Sequence, residues 1–172
     1  MSLRLRIAGV VGTGALMVLG LGLVGATPAF ASGIEIHDDA SGGGSTCLTG
    51  NANVDPDVTA ESCTDDNGQQ WHVVYVDTGV FEVENAYNQC MTATGAVDSN
   101  GADIVAETCL DYSTQHWTQG ETSGKCFLNN IGVTGSTDMV LGLNGGSTKR
   151  GTHAIQWAYL KHADQYETCV AA

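Results

Sequence analysis

Basic side chains are scarce in this sequence: six Lys and Arg stand against 19 Asp and Glu. Two of the six, Arg4 and Arg6, precede the first acidic residue, so residues 32–172 carry four basic against 19 acidic groups, a net charge of −15. Such a surface excludes the polyanions: nucleic acid and anionic membranes are poor partners for it. Solubility outside the cell accounts for the charge, which by itself names no ligand. A helical apolar stripe is also missing from residues 32–172, which excludes a helical bundle. The five histidines, His37, His72, His116, His153 and His162, form no His-x-x-x-His or HExxH pattern, so no zinc-hydrolase signature is present. No two cysteines stand two to four apart, which removes the usual zinc knuckles. "TDDNG", Thr64 to Gly68, lacks the spaced ligands of a calcium loop and reads as an Asx turn. No nucleophile elbow is present, and Glu61 and Glu107 fall at matched places of two repeats rather than together. The reading is of a non-enzyme, with no catalytic residue, cofactor or metal ligand.

What is present begins with a basic start, "MSLRLR", a long uncharged apolar run and the small-x-small ending Ala29-Phe30-Ala31. This is the pattern of a secretory signal peptide, residues 1–31, cleaved before Ser32. A membrane anchor is the alternative, since the run is nearly long enough to span a bilayer. The expected product is extracellular: 141 residues, 32–172, one domain's worth. Six cysteines, Cys47, Cys63, Cys90, Cys109, Cys126 and Cys169, make disulfides the default in an exported chain. Six cysteines allow fifteen pairings.

The remaining order is a repeat. "CLTGNANVDPDVTAESCTDDNGQQW" lies over "CMTATGAVDSNGADIVAETCLDYSTQHW". Each opens with a cysteine, an apolar residue and a threonine, and each has a second cysteine eight places before its Gln-x-Trp tryptophan. Shifted by 50, "NGADIVAETCLDYSTQHW" falls on "RGTHAIQWAYLKHADQYE", a degenerate third copy. There Val140 replaces Cys90, Tyr159 replaces Cys109 and Glu167 replaces Trp117. Short segments of period-two alternation, separated by Gly, Asn, Asp and Ser clusters, read as strands. The fold class is all-β, in three units of about four strands, near residues 33–74, 75–120 and 121–172.

Three β-rich units with Gln-x-Trp endings and an internal cysteine pair resemble the ricin-type β-trefoil lectin family. The resemblance covers all of residues 32–172 and implies a six-stranded barrel capped by three hairpins. It implies that the Trp of each unit fills a shared core while the Gln amide ties the loop beside it. It also implies disulfides Cys47–Cys63 and Cys90–Cys109, leaving Cys126–Cys169. The family binds sugar with an Asp two places after the first cysteine, an aromatic two places before the second, and the Asn-Gln of Asn-Gln-x-Trp. The Asp position holds Thr49, Thr92 and Gly142; the aromatic position holds Glu61, Glu107 and Trp157; the Asn position holds Gly68, Thr114 and Asp164. Units one and two therefore read as scaffold. Trp157, Asp164 and Gln165 are the candidate carbohydrate site, with Asp164 supplying acid from the other side of the sugar ring. The opposing expectation packs Trp157 in the core, or in place of the missing Trp at Glu167. A lone Glu resists burial, so Glu167 is expected to point to solvent while Tyr166 turns inward. The implied partner is a glycan or polysaccharide, galactose-type sugars included. The alternatives are a trefoil that has lost sugar binding and serves as a protein-interaction or inhibitor module, and the detached carbohydrate module of an enzyme.

Overall fold

The structure, a computed structural model, describes residues 34–36, 46–53, 56–95, 99–132 and 139–169. The expected leader, residues 1–31, lies outside them. No helix among the described residues is long and apolar enough to cross a membrane. Eleven strands form among the described residues: β1 Ile34–Glu35, β2 Thr46–Thr49, β3 Thr59–Ser62, β4 Gln70–Asp77, β5 Val80–Asn85, β6 Gln89–Ala93, β7 Ala102–Thr108, β8 Trp117–Thr122, β9 Lys125–Asn130, β10 Met139–Leu143 and β11 Thr152–Ala158. Strands 1–4 and 5–8 make the first two units. Tight turns follow at Thr78–Gly79 and Ser123–Gly124, a few residues past the boundaries read from the sequence.

Pairing repeats from unit to unit. The hairpins β2–β3, β6–β7 and β10–β11 share one register, with Cys47 opposite Glu61, Cys90 opposite Glu107 and Val140 opposite Trp157. The hairpins also join edge to edge: β11 pairs both β3 and β7, and Asp57 bridges Val105. Asp57, Asp103 and His153, one from each unit at matched positions, consequently meet with one ligating atom of each within 4.8 Å of the others.

Alternation along the strands builds the core. Phe81 and Val83 of β5 face inward, and Leu48, Met91 and Leu141 are their fully buried counterparts on the hairpins. Trp71 and Trp117 are buried, and each indole Nε1 donates to a hairpin carbonyl, Leu48 O or Met91 O, at 2.8 Å. The Gln two places earlier is buried too. Gln69 Nε2 donates to Thr49 Oγ1 (2.9 Å) and Ser62 O (2.8 Å), while its Oε1 accepts from Thr64 N. Gln115 repeats this with Thr92 Oγ1 (3.1 Å), Thr108 O (2.9 Å) and Leu110 N. Thr49 and Thr92, at the family's Asp position, therefore hold the glutamine amide. Three disulfides, Cys47–Cys63, Cys90–Cys109 and Cys126–Cys169, complete the frame.

The third unit departs from four strands. After β11 its fourth strand is reduced to one bridge, Glu167 to Cys126, with Glu167 N donating to Cys126 O at 2.9 Å. Glu167 is buried, only 4% exposed, which corrects the expectation that it points to solvent. The bridge and the adjoining Cys126–Cys169 disulfide fix this backbone in the barrel wall, so the side chain occupies the inward tryptophan position. Tyr166 is buried beside it.

Gln156 sits where the other units have Ala60 and Ala106. Its side chain is fully buried, and neither amide atom has a hydrogen-bond partner among the described residues. An unsatisfied buried polar group costs about 1–3 kcal/mol. Gln156→Met keeps the length and removes the amide, so a rise of that order in unfolding free energy is expected from guanidinium denaturation. An unchanged or lower midpoint contradicts it.

Candidate functional site

The glycine-rich turn after β10 and the turn after β11 face each other across a cavity of about 380 Å³. Its walls include Asn144 and Gly146, Ile155 and Trp157, and the segment through Leu160, His162, Asp164 and Gln165. β11 supplies Trp157 because alternation puts Ala154 and Gln156 into the interior and turns Trp157 out, 37% exposed. Trp157 thus neither packs in the core nor replaces the missing tryptophan. The turn of unit two supports it: a side chain at Gly101 would sit 3.7 Å from the indole, and Asn100 Oδ1 accepts from Ala158 N at 2.7 Å.

Asp164 lies in the short 3-10 turn Ala163–Gln165. Its carboxylate nests between two glycines: a Cβ at Gly142 would lie 3.3 Å from Oδ2, and one at Gly146 3.4 Å from Oδ1. A carboxylate therefore reaches, from the turn, the place where a side chain at 142 would begin. An acid at 142 would meet Asp164 at close range, and like charges there repel.

Gln165 is buried, and most of its amide is committed. Nε2 donates to Ala158 O at 2.8 Å, and Oε1 accepts from Leu160 N (2.8 Å) and His162 N (3.3 Å). Its counterparts give their second amide proton to Thr49 or Thr92. With Gly142 in that place, this proton has no partner among the described residues. The structure brings the three sequence-derived residues onto one cavity and adds His162, Leu160 and the turn Asn144–Gly146. Gly145 and Gly146 both adopt positive φ, 66° and 65°, a conformation that favours glycine. In the sequence, Asn144-Gly145-Gly146 is one of the Gly and Asn clusters that separate strands, and nothing in it marks a cavity wall.

A model of the ricin-type β-trefoil lectin domain-like family matches residues 67–157, more than half of the chain. The chain belongs to this family. Comparison of this lectin-family chain with curated proteins gives no match. Among solved structures it is similar to the designed threefold-symmetric protein ThreeFoil, at 19% identity and a TM-score of 0.71, over 80% of this chain and 97% of the other. It is similar to the Polyporus squamosus lectin bound to the epitope Neu5Acα2-6Galβ1-4GlcNAc, at 20% identity and a TM-score of 0.66, over 81% of this chain and 49% of that one. A third likeness is to an exo-β-1,3-galactanase from Clostridium thermocellum, at 16% identity and a TM-score of 0.72, over 84% of this chain and 31% of that one. The trefoil thus spans about half and a third of those two longer proteins. At these identities the likeness establishes the β-trefoil fold.

Proposed function

We propose that this trefoil is an exported carbohydrate-binding module that acts without catalysis and holds its ligand in the third unit. The observation that carries this reading is the outward Trp157 indole sharing one open cavity with the Asp164 carboxylate. An exposed aromatic face stacks on the apolar C–H face of a sugar ring. A carboxylate accepts short, charge-assisted bonds from adjacent hydroxyls. The second Gln165 amide proton and the His162 side chain add donors at the rim. Galactose-type sugars are the first class to test, because a lectin of similar fold holds a galactose-containing glycan. Three disulfides suit an oxidising compartment, which supports an extracellular location.

Titration calorimetry with galactose-type saccharides, together with a glycan array and a pull-down on insoluble polysaccharide, tests the proposal. Asp164→Asn keeps the shape and exchanges charge-assisted bonds for neutral ones, a difference of about 1–1.5 kcal/mol. Binding about tenfold weaker is the expected result. Silence across every glycan would instead favour the protein-interaction module.

A further inference from the structure

A second cluster of ligating groups lies in unit two, away from the sugar cavity. Glu82 stands on β5 between the inward-facing Phe81 and Val83, so alternation turns it to the outer face of the barrel. An outward Glu on an open barrel would be hydrated. Glu82 is instead only 8% exposed, because the chain through Cys109, Asp111 and His116 lies over it. One oxygen of Glu82, one of Asp111 and a ring nitrogen of His116 lie within 4.8 Å of one another. His116 Nε2 and Asp111 Oδ1 are 2.8 Å apart. Glu82 Oε1 is buried and has no hydrogen-bond partner among the described residues. The disulfide sulfurs of Cys90 and Cys109 are also close but, being bonded to each other, are not ligands.

The matched niche of unit three has a different filling. Phe127, Lys161 and Tyr166 take the three positions there, and Tyr159 replaces Cys109. Phe127 and Tyr159 stack with centroids 4.3 Å apart, and Tyr159 meets Tyr166 edge-on. The fold is therefore satisfied by apolar rings at this place. Unit two instead assembles two carboxylates and an imidazole around the buried Glu82 carboxylate, whose Oε1 has no hydrogen-bond partner among the described residues. Burial pushes the Glu82 carboxyl above its usual range and the nearby Asp111 charge adds to this, while the His116 ring and the Asp111 backbone amide pull the other way.

We propose that Glu82, Asp111 and His116 bind a divalent transition-metal cation of the zinc type. An imidazole with two carboxylates is a zinc donor set, whereas calcium and magnesium favour oxygen alone. Ligands around a tetrahedral zinc stand roughly 3.3 Å apart, so the His116–Asp111 contact opens by a few tenths of an ångström when the cation replaces the shared proton. The Asp111 side chain is 78% exposed and leaves a path inward, while that of His116 is 19% exposed. Bound there, the cation fastens the loop that carries Gln115 to the barrel wall. The Asp57–Asp103–His153 group has the same kind of His–Asp contact, His153 Nδ1 to Asp57 Oδ2 at 3.0 Å, but differs in exposure: none of its three residues is buried, and no buried group among the described residues points in.

Titrating the chelator-treated, disulfide-intact protein with zinc chloride at neutral pH tests this. One site of micromolar or tighter Kd is expected in the wild type and in Trp157→Ala and His153→Ala. Glu82→Gln and His116→Ala should each weaken it at least tenfold, and zinc should raise the Tm of the wild type but not of His116→Ala. Near-UV circular dichroism, to which the buried Trp71 and Trp117 contribute, reports whether both variants keep their fold. Should either fail to fold, Asp111→Asn, on the exposed side, carries the same expectation. An absence of binding up to millimolar zinc overturns the site. So does binding of equal strength in folded Glu82→Gln and His116→Ala.

Discussion

Trp117→Ala is expected to destabilise the domain by about 3–5 kcal/mol, the range for truncating a buried aromatic. The side chain is fully buried in the shared core, so its loss leaves a cavity that strands on every side border but cannot fill. The indole Nε1 bond to Met91 O at 2.8 Å is lost as well, stranding a carbonyl away from water. A small domain has about 5–15 kcal/mol in hand, so a large part of the molecules should unfold on mild warming. Guanidinium denaturation followed by far-UV circular dichroism reads the effect. A loss below about 1 kcal/mol would mean that the core does not depend on this Trp.

The same substitution at Trp157 should leave stability nearly unchanged and remove glycan binding. Trp157 packs no core residue's space and presents its ring to the cavity. A sugar covering roughly 80 Å² of indole gains about 2 kcal/mol at about 25 cal/mol per Å². Losing it weakens Kd by about thirtyfold, which places a weak lectin site beyond ordinary titration. Paired measurements of Tm and glycan affinity on Trp117→Ala and Trp157→Ala separate the two roles. A folded Trp157→Ala with wild-type affinity would move the binding site elsewhere.

The Gln-x-Trp spacing, the cysteine positions and the 46- and 50-residue offsets were legible because they are local and repeated. They carry the register of all three hairpins, which the structure reproduces from Cys47–Glu61 to Val140–Trp157. The sequence left Trp157 open between pocket and core; the register of β11, with Ala154 and Gln156 turned in, is what turns it outward. Glu167 was misread because residue type was weighed without its backbone. A single bridge and a neighbouring disulfide hold that backbone in the wall, and this outweighs the preference of a carboxylate for water.

The sequence alone determined the threefold architecture and the residues that differ between its units, because repetition exposes every departure as a mismatch at a known position. Only the tertiary structure decided what those departures do. Gly142 matters because Asp164, 22 residues away, occupies the space in front of it. Thr49 and Thr92 matter because each meets a glutamine 20 or 23 residues on. Glu82 and His116 are 34 residues apart and join only where β5 passes beneath the loop of its own unit. Distances across a closed barrel are set by how the units pack, and no spacing along the chain records them.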